Sequence, residues 1–117
     1  MHNKLKKIKI AIFISGRGSN MESLIKASKN SDFPASILII ITNNALASGI
    51  DLAKNYNIPV KIFDKKSFNK SQFEISSQKV LSDFNIEMIC LAGFMQILSK
   101  SFVDNWLNRI INIHPSY

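Results

Sequence analysis

The chain has 117 residues, 46% of them hydrophobic and 20% charged, which excludes a disordered protein and favours one domain spanning residues 1–117. No apolar run approaches the ~20 residues of a membrane span, and a lone cysteine, Cys90, excludes a disulfide framework and a cysteine-built metal cluster. We therefore expect a cytoplasmic protein without a metal or a membrane partner. The net charge of +7 comes from scattered lysines that are not interleaved with aromatic residues, which argues against nucleic acid and suits an anionic small ligand.

Strands and helices alternate along the chain. The nearly continuous apolar run "IKIAIFIS", residues 8–15, predicts a strand buried on both faces. Further apolar runs predict strands at 37–42, 60–63, 87–92 and 109–113. Spacings of i, i+3, i+4 and i+7 predict helices between them. The residues that mark these helices are Met21, Leu24, Ile25 and Ser28; Leu46, Ile50 and Ala53; Phe73, Ser77, Val80, Leu81 and Phe84; and Phe102, Val103 and Trp106. The alternation predicts an α/β fold with a Rossmann-like open, mainly parallel sheet and helices on both faces.

The loop "SGRGSN" follows the first predicted strand. Gly16 and Gly18 allow a tight turn, and Ser19 with Glu22 predicts a capping box at the start of the next helix. A helix N-terminus favours a phosphate. Met21 stands at the third glycine position of G-x-G-x-x-G, and the second strand ends in "TNN" without an acidic residue, so a phosphomonoester is favoured over a dinucleotide. The alternative is a glycine turn that only joins strand to helix.

The loop "AGFMQILS", residues 92–99, follows the fourth predicted strand. Gly93 allows a sharp turn, after which apolar residues occupy a place that is usually polar. On their own, these residues favour seating the next helix over binding a flat ring. Ser99 is the predicted N-cap of that helix.

The last predicted strand leads into "NIHPS". Strand alternation places Asn112 and His114 on one side and Ile113 on the other. An amide and an imidazole that point together can polarise a carbonyl and move a proton. A histidine at a strand end is equally typical of a packed or surface residue, so the residues alone leave both readings open.

The segments "ISGRGSN", "ITNNALASGIDLAKNYNIP", "LAGFMQILS" and "INIHPS" resemble, in the same order, those of the phosphoribosylglycinamide formyltransferases. The resemblance covers nearly the whole chain. It implies transfer of the formyl group of 10-formyltetrahydrofolate, a cosubstrate, to the amine of glycinamide ribonucleotide in purine synthesis, without a metal.

The resemblance also implies roles for individual residues. Gly18, Ser19 and Asn20 would hold the ribonucleotide phosphate. His114 would stabilise and protonate the oxyanion as the amine attacks the formyl carbon, and Asn112 would hold that oxygen. The residues implied in folate binding are Lys70, Met95, Gln96, Ile97, Leu98 and Asn112, with Leu91, Val103 and Ile110 as an apolar wall. Lys70 stands where the family commonly has an arginine, which keeps the charge but loses the planar fork.

The family continues as "HPSLLP" and adds further strands, a folate loop and a catalytic aspartate, whereas here Tyr117 replaces the first leucine. We therefore expect a truncated N-terminal portion with half an active site, inactive alone. The segment "RIINI" is expected to be an exposed edge strand that favours self-association. The alternatives are a ligand-binding remnant without catalysis and a formyltetrahydrofolate deformylase. Methionyl-tRNA formyltransferase matches the loops less well.

Overall fold

The computed structural model describes residues 6–113, which form five strands and four helices. In chain order, the elements are β1 (Ile8–Ile14), α1 (Ser19–Ser28), β2 (Ala35–Thr42), α2 (Gly49–Asn55), β3 (Val60–Ile62), α3 (Lys70–Asp83), β4 (Met88–Ala92), α4 (Lys100–Asn105) and β5 (Ile110–Ile113). All five predicted strands are present, with ends that differ by at most two residues. Leu46 was a wrong helix marker: it precedes α2 and is 81% exposed.

The strands form one sheet in the order β3-β2-β1-β4-β5, and all pairs are parallel. β2 and β3 are added on one side of β1, and β4 and β5 are then added on its other side. Because parallel crossovers are right-handed, this reversal places α1 and α2 on one face and α3 and α4 on the other. The predicted Rossmann-like sheet with helices on both faces is confirmed.

Two apolar clusters fill the space between the sheet and its helices. Along β1, Ile10, Ile12 and Ile14 face the α1 and α2 side, whereas Ala11 and Phe13 face the α3 and α4 side. Side chains alternate between the two faces of a strand, so a strand covered on both faces is apolar at every position. This burial explains why β1 reads as an unbroken apolar run.

An aromatic cluster on the α3 and α4 face anchors the loop that follows β4. The ring of Phe94 lies 5.3 Å from that of Phe13, edge to face, and 5.5 Å from that of Phe73, in a stacked arrangement. Such ring pairs contribute about 0.5–1.5 kcal/mol beyond the area that they bury. Phe94 therefore fixes the first part of the loop against the core.

The helices on this face begin with side-chain caps. Asn69 accepts from the N–H of Gln72, and the Gln72 side chain accepts in return from the N–H of Asn69, which forms a capping box. Ser99 accepts from the N–H of Phe102, which confirms the predicted N-cap of α4. Over residues 6–113, none of the helices is both long and apolar enough to cross a bilayer.

Candidate functional site

The sheet order locates the site at the carboxyl ends of β1 and β4. Strand order reverses between these two strands, and ligands of open α/β sheets bind in the crevice at such a switch point. The loop after β1 is "SGRGSN" and the loop after β4 is "GFMQILS". Two of the three loops that the sequence singled out therefore flank the same switch point.

The loop after β1 packs closely only because two positions are glycine: Gly18 in the loop itself and Gly49 at the start of α2. Gly18 has a φ of 76°, and a Cβ there would lie 2.9 Å from Met21 Cε and 3.2 Å from the Cα of Gly49. Gly49 donates its N–H to the carbonyl of Gly16 at 3.1 Å, and a Cβ at Gly49 would lie 2.7 Å from Ile14 Cδ1. The start of α2 thus packs directly against the loop. Gly49 was missed because nothing in its local sequence reveals that contact.

The predicted capping box at Ser19 and Glu22 is wrong. Gly18 in the left-handed conformation is the N-cap, its carbonyl accepts from the N–H of Glu22 at 2.8 Å, and no side chain caps α1. The Glu22 carboxylate instead accepts from the hydroxyl of Tyr56 at 3.1 Å and lies 3.8 Å from the Lys26 ammonium. Desolvation, followed by the hydrogen bond and the negative charge of Glu22, raises the pKa of the Tyr56 hydroxyl above its ordinary value.

The start of α1 retains the features of an anion site. The first N–H groups of a helix have no acceptor within the helix, and with no side-chain cap they depend on water or on a ligand. The positive end of the helix dipole lies at the same place. Ser19 is exposed and Asn20 is half-buried, and the exposed Arg17 adds a positive charge to the loop. These residues can bind a phosphate group.

Two buried polar residues, Ser15 and Asn43, join the loops, and sequence reasoning missed both. Ser15 follows β1 and Asn43 follows β2. Ser15 Oγ donates to Asn43 Oδ1 at 2.7 Å and accepts from the N–H of Met95, also at 2.7 Å. Asn43 Nδ2 lies 3.3 Å from Gln96 Oε1. A polar residue directly after a fully apolar strand was the available signal.

The loop after β4 divides into an anchored part and an exposed part. Phe94 and Leu98 pack against the core, whereas Met95 is 82% exposed and Ile97 is 83% exposed. Gln96 lies between them, half-buried. The residues alone favoured seating the next helix. Phe94 and Leu98 pack against the cluster that contains Phe102 of α4, whereas the side chains of Met95 and Ile97 lie at the surface of the site.

The predicted apolar wall is brought together only in part. Leu91 and Ile110 pack against the same core cluster on the α3 and α4 face. Val103 is exposed on α4. Lys70 is the exposed first residue of α3, a helix that begins at the carboxyl edge because it follows β3.

Asn112 lies at the carboxyl end of β5, opposite Leu91 of β4, and is exposed. Alternation along β5 places it on the same face as Ile110, with Ile113 on the other face. His114 lies outside the described residues, so its predicted pairing with Asn112 stays a prediction. Between residues 6 and 113, no group of three His, Cys, Asp or Glu side chains is arranged to hold a metal ion.

Comparison with known proteins matches the formyl transferase family to residues 8–117. The trifunctional purine biosynthetic protein adenosine-3 of Gallus gallus is 41% identical over 111 residues, which are 94% of this chain and 11% of that protein. The phosphoribosylglycinamide formyltransferase of Haemophilus influenzae is 38% identical over 109 residues, 92% of this chain and 51% of that protein.

A solved structure of phosphoribosylglycinamide formyltransferase from Brucella melitensis superposes with a TM-score of 0.89 at 40% identity. It matches 96% of this chain and 59% of that one. The chain thus spans about half the length of the Haemophilus influenzae relative and about a tenth of the trifunctional one.

Proposed function

This chain belongs to the formyl transferase family, and from that premise we propose that it takes part in transferring the formyl group of 10-formyltetrahydrofolate to the amine of glycinamide ribonucleotide. The reaction is a step of purine synthesis, and we place it in the cytoplasm. One observation carries the proposal. The loops after β1 and β4, which would bind the two substrates, flank one switch point and are hydrogen-bonded to each other through Ser15.

The ribonucleotide phosphate binds at the start of α1. Backbone N–H groups of Gly18, Ser19 and Asn20 donate to its oxygens, and the helix dipole favours its negative charge. Gly18 also lets the backbone approach the phosphate without a Cβ. The absence of a side-chain cap on α1 supports this role, because a capping side chain would compete for the same N–H groups.

The formyl folate binds along the loop after β4. The backbone of residues 95–98 offers N–H and carbonyl groups to the polar edge of the folate ring, and Leu91 and Ile110 supply apolar surface. Lys70 attracts the carboxylates of the folate tail through its positive charge alone. Its ammonium group lacks the planar guanidinium of arginine, which can donate two parallel hydrogen bonds to one carboxylate. The exposed side chains of Met95 and Ile97 then become covered by the ligand.

The chemistry takes place beside Asn112. The ribonucleotide amine attacks the formyl carbon, and the carbonyl oxygen gains negative charge. The Asn112 amide donates a hydrogen bond to that oxygen and His114 supplies a proton to it. As the intermediate collapses, its hydroxyl returns the proton to His114 and becomes the carbonyl of the product. The bond between the formyl carbon and the folate nitrogen breaks, and the proton lost by the amine is transferred to that nitrogen. No metal takes part.

A chimera tests this function. Residues 1–117 replace the matching segment of the Haemophilus influenzae relative, and formyl transfer and formyl hydrolysis are measured separately. We expect transfer that depends on glycinamide ribonucleotide. His114→Ala should remove most of the activity, and Asn112→Ala should lower kcat on the order of 10²–10³-fold, as for a lost oxyanion donor.

The control variant is Lys79→Ala, which removes an exposed ion pair with Asp83 on α3 and should leave the rate unchanged. Hydrolysis without transfer would identify a deformylase instead. Full activity of the His114→Ala chimera would overturn the assigned chemistry, and binding of both ligands without turnover would indicate a binding remnant.

A further inference from the structure

The hydrogen bonds around Ser15 have only one consistent direction. The N–H of Met95 can only donate, so Ser15 Oγ accepts from it and must direct its single proton elsewhere. That proton goes to Asn43 Oδ1, which leaves the Nδ2 group of Asn43 to donate to Gln96 Oε1. The chain of bonds therefore runs from the backbone of Met95 through two buried side chains to the amide of Gln96.

Ser15 and Asn43 are among the few buried polar residues of the described chain, being 8% and 3% exposed. Buried polar groups persist where their hydrogen bonds are satisfied, because an unpaired one is costly. Further bonds fix both residues: the Ser15 carbonyl accepts from Asn44 Nδ2 at 3.0 Å, and the Asn43 carbonyl accepts from the N–H of Lys65 at 2.8 Å. The pair is therefore a rigid support between β1 and β2.

The support acts on one short segment of the loop after β4. Phe94 and Leu98 hold the two ends of that segment through apolar packing. Between them, the side chains of Met95 and Ile97 are exposed and provide no anchor. The bonds to Ser15 and Asn43 thus set the position of the Met95 backbone and of the Gln96 amide.

Gln96 also keeps an unused donor. Its Nε2 atom is inaccessible to solvent and has no hydrogen-bond partner among residues 6–113. The Gln96 Oε1 atom is occupied by Asn43, so the amide is oriented with Nε2 free. A donor that is closed to solvent is also closed to a ligand in the crevice, so Gln96 contributes to the loop through its bond to Asn43.

We propose that Ser15 and Asn43 are positioning residues that hold the backbone of Met95 and the amide of Gln96 for the formyl folate, through their bonds to the Met95 N–H and to Gln96 Oε1. This inference rests on the proposed function. The segment after β1 then has two separate roles: its backbone from Gly16 onward binds the ribonucleotide, and the Ser15 side chain positions the loop that binds the cosubstrate.

Amide hydrogen exchange on the 117-residue chain tests the support without any ligand. The Met95 amide should be protected in the parent chain and should exchange about tenfold faster or more in Ser15→Ala, which removes its buried acceptor. Gln96→Ala should leave the Met95 amide protected, because the bond to Ser15 remains. The matched control is Ser28→Ala, whose hydroxyl bonds the Ile25 carbonyl at the far end of α1. If the Met95 amide exchanges at the same rate in Ser15→Ala as in the parent chain, Ser15 does not hold the Met95 backbone and the proposal is wrong.

Steady-state kinetics on the chimera test the assignment to the cosubstrate. Ser15→Ala and Gln96→Ala should each raise the KM for 10-formyltetrahydrofolate about tenfold, as expected when a buried hydrogen bond loses one partner, while the KM for glycinamide ribonucleotide changes less than about twofold. Equal changes in both KM values, or no change in either, would refute the positioning role while leaving the proposed function standing. A parent chimera that binds both substrates but transfers nothing would instead refute the proposed function. If Ser15→Ala does not fold, Gln96→Ala still tests the proposal, because Gln96 lies in a loop where the substitution should leave the fold intact.

Discussion

Replacing each of the four glycines by alanine separates the cost of a left-handed backbone from the cost of a steric contact, because the four positions differ in these two features. We expect Gly18→Ala to be more destabilising than the same change at Gly16 or Gly93. Gly18 has both features: a φ of 76° and a Cβ position only 2.9 Å from Met21 Cε and 3.2 Å from the Cα of Gly49. A left-handed residue with a Cβ costs about 1–2 kcal/mol. Overpacking adds about 1–3 kcal/mol, and we take the lower part of that range because Met21 Cε is the flexible end of its side chain.

The expected loss in the free energy of unfolding for Gly18→Ala is therefore about 2–4 kcal/mol, the sum of the two contributions. Gly93→Ala should lose only the strain contribution of about 1–2 kcal/mol, since Gly93 has a φ of 68° but no atom within 4 Å of its Cβ position. Gly16→Ala has neither feature and should change stability by less than about 1 kcal/mol, since alanine also restricts the unfolded chain.

Urea unfolding followed by circular dichroism gives the three values, and an unchanged m-value would show that the transition itself is the same. Gly49→Ala completes the series, because it creates a contact of 2.7 Å with Ile14 Cδ1 in an ordinary backbone conformation. If Gly18→Ala and Gly93→Ala destabilise equally, the close approach of α2 to the loop contributes nothing and the packing argument is wrong.

Three further predictions concern the phosphate, the sheet edge and the thiol. Inorganic phosphate should shift the amide signals of residues 18–20 first, weakly and with a strong salt dependence, and shifts confined to the lysine-rich start of the chain would contradict the site. The exposed edge strand β5 should promote self-association of the 117-residue chain, and Ile111→Lys should reduce it; a parent chain that sediments as a monomer at high concentration would refute this. Burial raises the pKa of the Cys90 thiol, so the folded chain holds that proton to higher pH than the unfolded chain. Its contribution to stability should be complete below the unfolded pKa of about 8.5 and should fall as pH rises further, and Cys90→Ala should remove this dependence in urea unfolding at pH 7 to 10.

The fold could be predicted because a parallel sheet covered on both faces requires apolar residues at every position of its central strands. β1 and β2 show this continuous pattern, and helical spacing identified the helices between the strands. Leu46 was misread because its spacing to Ile50 imitates a helix. In the structure, the N–H of Leu46 donates to Asn44 Oδ1 at 3.0 Å, a local turn that a spacing rule does not detect.

The site could be predicted less completely, because its parts come from different strands. The glycine loop and the strand-end Asn112 stood out by residue type. The bond between Ser15 and Asn43 depends on the parallel pairing of β1 with β2, in which Ile14 lies beside Thr42. No local pattern encodes that pairing. The capping box at Ser19 failed for a related reason, since Gly18 and its contact with Gly49 decide how α1 begins.

The central position of β1 also determines when the chain can fold during synthesis. β1 is complete early, yet Ile12 pairs with Cys90 and Phe13 with Leu91, partners that the ribosome adds almost eighty residues later. Until then, one edge of β1 has no strand beside it, and the part of the sheet that α4 will cover stays exposed to water. Contacts of such long sequence separation slow folding, and exposed strand edges invite aggregation in the interval. We therefore expect the nascent chain to be most prone to aggregation before β4 pairs with β1.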